Sequence, residues 1–118
     1  EAHMAKKAVI LLATGFEEIE AVTVIDVLRR AGINIISAGL DSVSITGSHG
    51  ITVAAEKKIT DLKPDFDAVI IPGGAAGALH LHNSSELNDF IKAMASKGVL
   101  MAANSRAKAV RSKLVWPS

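Results

Sequence analysis

Cysteine is absent from all 118 residues. That excludes disulfides, thiolate metal sites and cysteine nucleophiles, and it favours an intracellular, cytoplasmic protein. An excess of one charge is missing too. Thirteen basic residues against twelve acidic ones leave a net charge of +1, which gives no electrostatic basis for nucleic acid or an anionic membrane as a partner. No apolar run approaches the roughly 18 residues of a membrane span. Internal repeats, low-complexity tracts and a signal-peptide pattern are not found either.

What is present is apolar bulk. Hydrophobic residues make up 49% of the chain, enough for one core, and the length suits a single domain over residues 5–118. The opening Glu1-Ala2-His3-Met4 reads as an expression scar, and His3 is set aside with it.

Apolar runs alternate with helical patterns. "KKAVILLATG", "INIISAGL", "DFDAVIIPGG" and "VLMAAN" read as strands buried on both faces. "FEEIEAVTVIDVLRRAG" reads as a helix, acidic at its start, basic near its end and stopped by Gly32. "SSELNDFIKAMASKG" is a second helix, capped by Ser84 or Ser85 and stopped by Gly98. "SVSITGSHGITVAAEKKI" alternates around Gly47 and Gly50 and predicts a hairpin-like excursion. Together these predict an α/β fold with a mostly parallel sheet and right-handed crossovers. Ligands of such sheets sit at the carboxyl ends of the strands, here Thr14-Gly15, Pro72-Gly73-Gly74 and Asn104-Ser105.

At about 100° per residue, Glu20 shares a helix face with Val24, Val27 and Ala31, and Ala21, Ile25 and Leu28 widen that apolar arc. A carboxylate placed there is either held inward by hydrogen bonds, as catalytic acids and bases are, or turned out in the first turn to complement the dipole. Glu17 and Glu18 do not carry this conflict. Gly73-Gly74 can present backbone N–H groups to an oxyanion. The spacing is not that of a dinucleotide or P-loop fingerprint. His80 and His82 fall in a helix-to-loop junction with no third ligand evident, so no metal site is expected. His49 reads as a surface turn residue or a pocket-lining group.

"AVILLATGFEEIEAVTVIDVLRRAGINI", "GSHGITV", "FDAVIIPGGAAGA" and "VLMAA" together resemble the DJ-1/ThiJ/PfpI superfamily, in particular its bacterial ThiJ-like members. The resemblance runs over about residues 6–103. It implies a flavodoxin-like sandwich with helices on both faces of the sheet, C-terminally incomplete here, that forms a homodimer and takes no cofactor. It also implies glyoxalase or deglycase activity toward a small carbonyl or glycated substrate, stress response, redox sensing and chaperone activity. Glu20 falls on the family glutamate that contacts a cysteine at a strand-to-helix elbow. Gly73 and Gly74 fall on the oxyanion turn, and His49 falls where relatives carry Arg or His.

The elbow departs from the pattern. Where the family reads A-A-I-C-A-x-P, this chain reads Ala102-Ala103-Asn104-Ser105-Arg106-Ala107-Lys108. An ungapped alignment puts Ser105 at the cysteine position, and the implied chemistry is then impaired, because a hydroxyl needs a general base that a thiolate does not. The alternatives are an active hydrolase using Ser105 with Glu20, and a non-catalytic dimer that binds small anions or acts as a chaperone. A gapped alignment matches "SKLVWPS" to a later family strand and leaves Ser105 matching nothing. Ile19 and Val22, on the polar arc of the first helix, mark a face for self-association.

Overall fold

The computed structural model describes residues 6–98 and 100–103. Among these residues seven strands and three α-helices follow one another as β1 (Lys7–Leu12), α1 (Glu18–Arg30), β2 (Asn34–Gly39), β3 (Ser44–Thr46), β4 (Thr52–Ala54), β5 (Lys57–Lys58), β6 (Ala68–Ile71), α2 (Ala75–His82), α3 (Ser85–Ala95) and β7 (Leu100–Ala103), with a short 3-10 helix at Ile59–Asp61 between β5 and β6. The main sheet has the order β5-β2-β1-β6-β7, and every pairing in it is parallel. β3 and β4 form the separate antiparallel hairpin that the glycine spacing predicts.

β1 explains why the apolar runs are continuous. Its side chains point alternately to the two faces, and both faces are covered. Val9 and Leu11 pack with Val69, Ile71 and the inner residues of α2 and α3. Ala8, Ile10 and Leu12 pack on the opposite face with Phe16, Ala21 and Ile35. In α3 the buried residues Leu87, Phe90, Ile91 and Met94 recur at helical spacing. Ser84 caps that helix by accepting a hydrogen bond from the Leu87 N–H at 3.1 Å.

Two features depart from expectation. Val27, assigned above to the packing face of α1, is 54% exposed, and Ala31 is exposed as well. The helix instead rests on Ala21, Val24, Ile25 and Leu28, a narrower stripe displaced from the one centred on Glu20. Second, among the described residues α1 does not cover its whole side of the sheet. Ala68 and Ile70, on a central strand, are only half-buried. They border an apolar cavity of about 430 Å³, also lined by Ala8, Leu28, Ile33 and Ala102. Among the described residues no helix is long and apolar enough to cross a membrane.

Candidate functional site

The turn from β1 into α1 is held from two sides. On one side it meets the hairpin: the Gly15 N–H donates to the Thr46 carbonyl at 2.9 Å, and the Ser48 N–H to the Phe16 carbonyl at 2.8 Å. On the other side it meets the glycine turn after β6, where the Glu17 N–H donates to the Gly73 carbonyl at 2.8 Å. Parallel neighbours end level with one another, so both turns converge on the carboxyl ends of β1 and β6.

Glu20 completes the second contact. The Gly73 N–H donates to its Oε1 at 3.1 Å. The carboxylate is half-buried, and Gly73 and Gly74 are both buried. Both backbone groups of Gly73 are therefore engaged by the start of α1. An anion entering this turn would draw on other donors, of which the Gly74 N–H is the nearest in sequence. Gly74 has φ +108°, and a Cβ there would lie 2.4 Å from the Gly15 carbonyl oxygen and 2.8 Å from the Glu17 nitrogen. Only glycine lets the three backbone segments close in this way.

The buried acid of α1 is a different residue from the one the helix pattern singled out. Glu18 is 5% exposed, although a helical wheel gives it no conflict. It is covered by the hairpin loop, thirty residues further along, rather than by the sheet. Its Oε2 accepts from the His49 N–H at 2.8 Å and the Ile51 N–H at 3.2 Å. Its Oε1 faces the His49 Nδ1 at 3.0 Å and accepts from the Ser48 hydroxyl at 3.3 Å. The absence of a side chain at Gly47 makes room, since a Cβ there would lie 2.3 Å from the Glu18 Cδ.

His49 is thus in the loop, as the sequence predicts, with its side chain 67% exposed. It turns toward Glu18 and toward Glu17, whose Oε1 lies 3.6 Å from Nδ1. Ser48 Oγ is 3.1 Å from the same nitrogen. This is not a nucleophile–base–carboxylate relay, which needs its partners on the two different ring nitrogens. His80 and His82 lie in the last turn of α2. Ser105, with the rest of the expected elbow, lies outside the described residues. Of the residues expected at the site, the structure brings Glu20 and Gly73-Gly74 together and turns His49 elsewhere.

The two paired charges, Glu18 of α1 and His49 of the loop, shift in opposite directions. Burial, the largest influence on Glu18, pushes its carboxyl up. The hydrogen bonds from the His49 side chain and from the backbone of Glu18, His49 and Ile51 together outweigh it and hold the group at about 2, against 4.5 ordinarily. His49 is raised above 6.5, first by its hydrogen bond to Glu18 and then by the charges of Glu17 and Glu18. The signs follow by linkage. Glu18 contributes stability above pH 4.5 that fades as pH falls toward 2, while His49 contributes stability below pH 6.5 that fades as pH rises through its raised value. The urea midpoint of the protein is expected to decline on both sides of this window. In His49→Gln the alkaline decline is expected to disappear; its persistence would mean that another group causes it.

The matching family model is that of the DJ-1/PfpI family, over residues 6–113. Protein dj-1beta of Drosophila melanogaster is 36% identical over 112 residues, which is 93% of this chain and 60% of that one. The crystal structure of that Drosophila protein superposes with a TM-score of 0.86 at 35% identity, covering 93% of this chain and 60% of the other. Oxidised Toxoplasma gondii DJ-1 superposes with a TM-score of 0.85 at 37% identity, covering 90% and 59%. The chain thus spans about three-fifths of the length of these proteins.

Proposed function

The chain belongs to the DJ-1/PfpI family, and from that premise we propose that it keeps the pocket of a glyoxalase- or deglycase-type stress-response protein but is catalytically impaired. The observation that carries this reading is the half-buried Glu20 carboxylate, fixed by the Gly73 N–H at 3.1 Å in a chain that has no cysteine to place beside it. A carboxylate next to a serine hydroxyl is a poor substitute for one next to a thiol. The substrate class is a small carbonyl or glycated compound, with Glu20 as the acid–base group and Ser105 at the nucleophile position. In this reading the purified chain consumes methylglyoxal no faster than its Ser105→Ala variant. Ready turnover that Ser105→Ala abolishes would establish the alternative, an active serine-dependent hydrolase.

The reading includes a homodimer, supported by one observation. Ile19 and Val22 stand 75% and 51% exposed on the outer side of α1, an apolar pair on a face that otherwise meets water. Light scattering is expected to give twice the chain mass. A single-chain mass at working concentration would remove the dimer from the reading.

A further inference from the structure

One side-chain cluster remains that the Glu20 pocket does not use. Glu17, Glu18 and His49 each offer a ligand atom, and the three atoms lie within 4.8 Å of one another. Glu17 is the residue just before α1, Glu18 is its first residue and His49 is in the hairpin loop, so the cluster ties two elements together.

Three oxygens crowd the ring nitrogen at its centre. Glu18 Oε1 is 3.0 Å from His49 Nδ1, Ser48 Oγ 3.1 Å and Glu17 Oε1 3.6 Å. A single N–H is directional and satisfies one acceptor well. A cation attracts all of them at once. At metal–ligand distances of about 2.0–2.2 Å, a tetrahedral ion keeps its donor atoms roughly 3.3–3.6 Å apart. The two separations from Nδ1 to the carboxylates, 3.0 and 3.6 Å, bracket that range.

We propose that Glu17 Oε1, Glu18 Oε1 and His49 Nδ1 form a binding site for a first-row divalent cation of the zinc type, with the fourth position open to water. The donor set decides the class. A mixed nitrogen–oxygen set suits zinc and its neighbours, whereas calcium takes six to eight oxygens. Two carboxylates neutralise the ion's charge. The site is also braced from outside. Glu18 Oε2 stays on the His49 and Ile51 N–H groups at 2.8 and 3.2 Å, leaving Oε1 for the metal, an arrangement that typically tightens metal sites. Metal at Nδ1 requires the tautomer protonated at the other nitrogen, on a ring that is largely exposed. The role is structural, fastening the hairpin to α1 and stabilising the fold by mass action. It is independent of the Glu20 pocket.

Calorimetric titration of the full chain with zinc chloride tests this. One ion per chain is expected, with cobalt(II) giving the visible bands of a tetrahedral site. His49→Gln and Glu17→Gln remove ligands whose side chains are 67% and 27% exposed, so circular dichroism is expected to report an intact fold in at least one. Each should weaken binding by about tenfold or more, given that loss of a supporting contact alone costs roughly 10–100-fold. His80→Gln/His82→Gln should bind as the starting protein does. Absence of saturable binding overturns the proposal. So does binding that survives both ligand variants, or binding that follows His80 and His82 instead.

Discussion

Gly74→Ala is expected to lower the unfolding free energy by about 2–6 kcal/mol, the sum of a strained backbone at roughly 1–3 and overpacking at roughly 1–3. Gly74 sits at φ +108° and ψ 111°, a conformation that residues with a Cβ scarcely adopt. The new methyl would meet backbone, the Gly15 carbonyl at 2.4 Å and the Glu17 nitrogen at 2.8 Å, and backbone cannot swing aside as a long side chain can. Against a total stability of about 5–15 kcal/mol, the change would leave much of the protein unfolded or close to it. Gly32→Ala is the matched control. Gly32 also has a positive φ, +83°, but a Cβ added there would meet nothing within 4 Å, so only the conformational cost of about 1–2 kcal/mol remains. Urea unfolding followed by circular dichroism compares the two. Equal losses would mean that the glycine turn is not packed against the start of α1.

Ser105→Cys is expected to produce the largest change in activity. The chain has no other cysteine, so every equivalent of thiol reactivity in the variant belongs to position 105. If that position is the family's elbow, the thiol should ionise below the usual 8.5 or so. Iodoacetamide would then label it faster at neutral pH than it labels free cysteine, and methylglyoxal consumption should rise above that of the starting protein. Adding Glu20→Gln should reduce the new activity by about 10²–10⁴-fold, the usual worth of a positioned acid–base group. A thiol that titrates like free cysteine and supports no turnover would place Ser105 outside the elbow. The gapped alignment would then be correct.

Much of this fold is legible in the sequence because its sheet is built from apolar strands, of which β1 is buried on both faces while β6 is half-buried on one and Ala102 of β7 is exposed. β1, β2, β6 and β7 appear as unbroken apolar runs, and the hairpin appears through Gly47 and Gly50. β5 is invisible, since Lys57-Lys58 are both exposed and gain their pairing only from the neighbouring Ala38-Gly39. Among the acids of α1, periodicity picks Glu20, which the structure joins to Gly73. It passes over Glu18, because the cover for that side chain comes from the loop 47–51 and a helical wheel sees only its own helix. The Val27 assignment fails for a related reason. A wheel fixes relative directions around the axis, but the rotation of the helix on the sheet is set by partners such as Phe16 and Ile45.

Among the described residues, the two outermost strands of the main sheet are unlike. β5 presents lysines, two residues long and charged, a rim that repels a further strand. β7, Leu100–Ala103, carries no charge and pairs with β6 alone among the described residues. A strand approaching the sheet from the β5 side would meet the lysine charge before it met a free backbone, so this border works against open-ended strand addition.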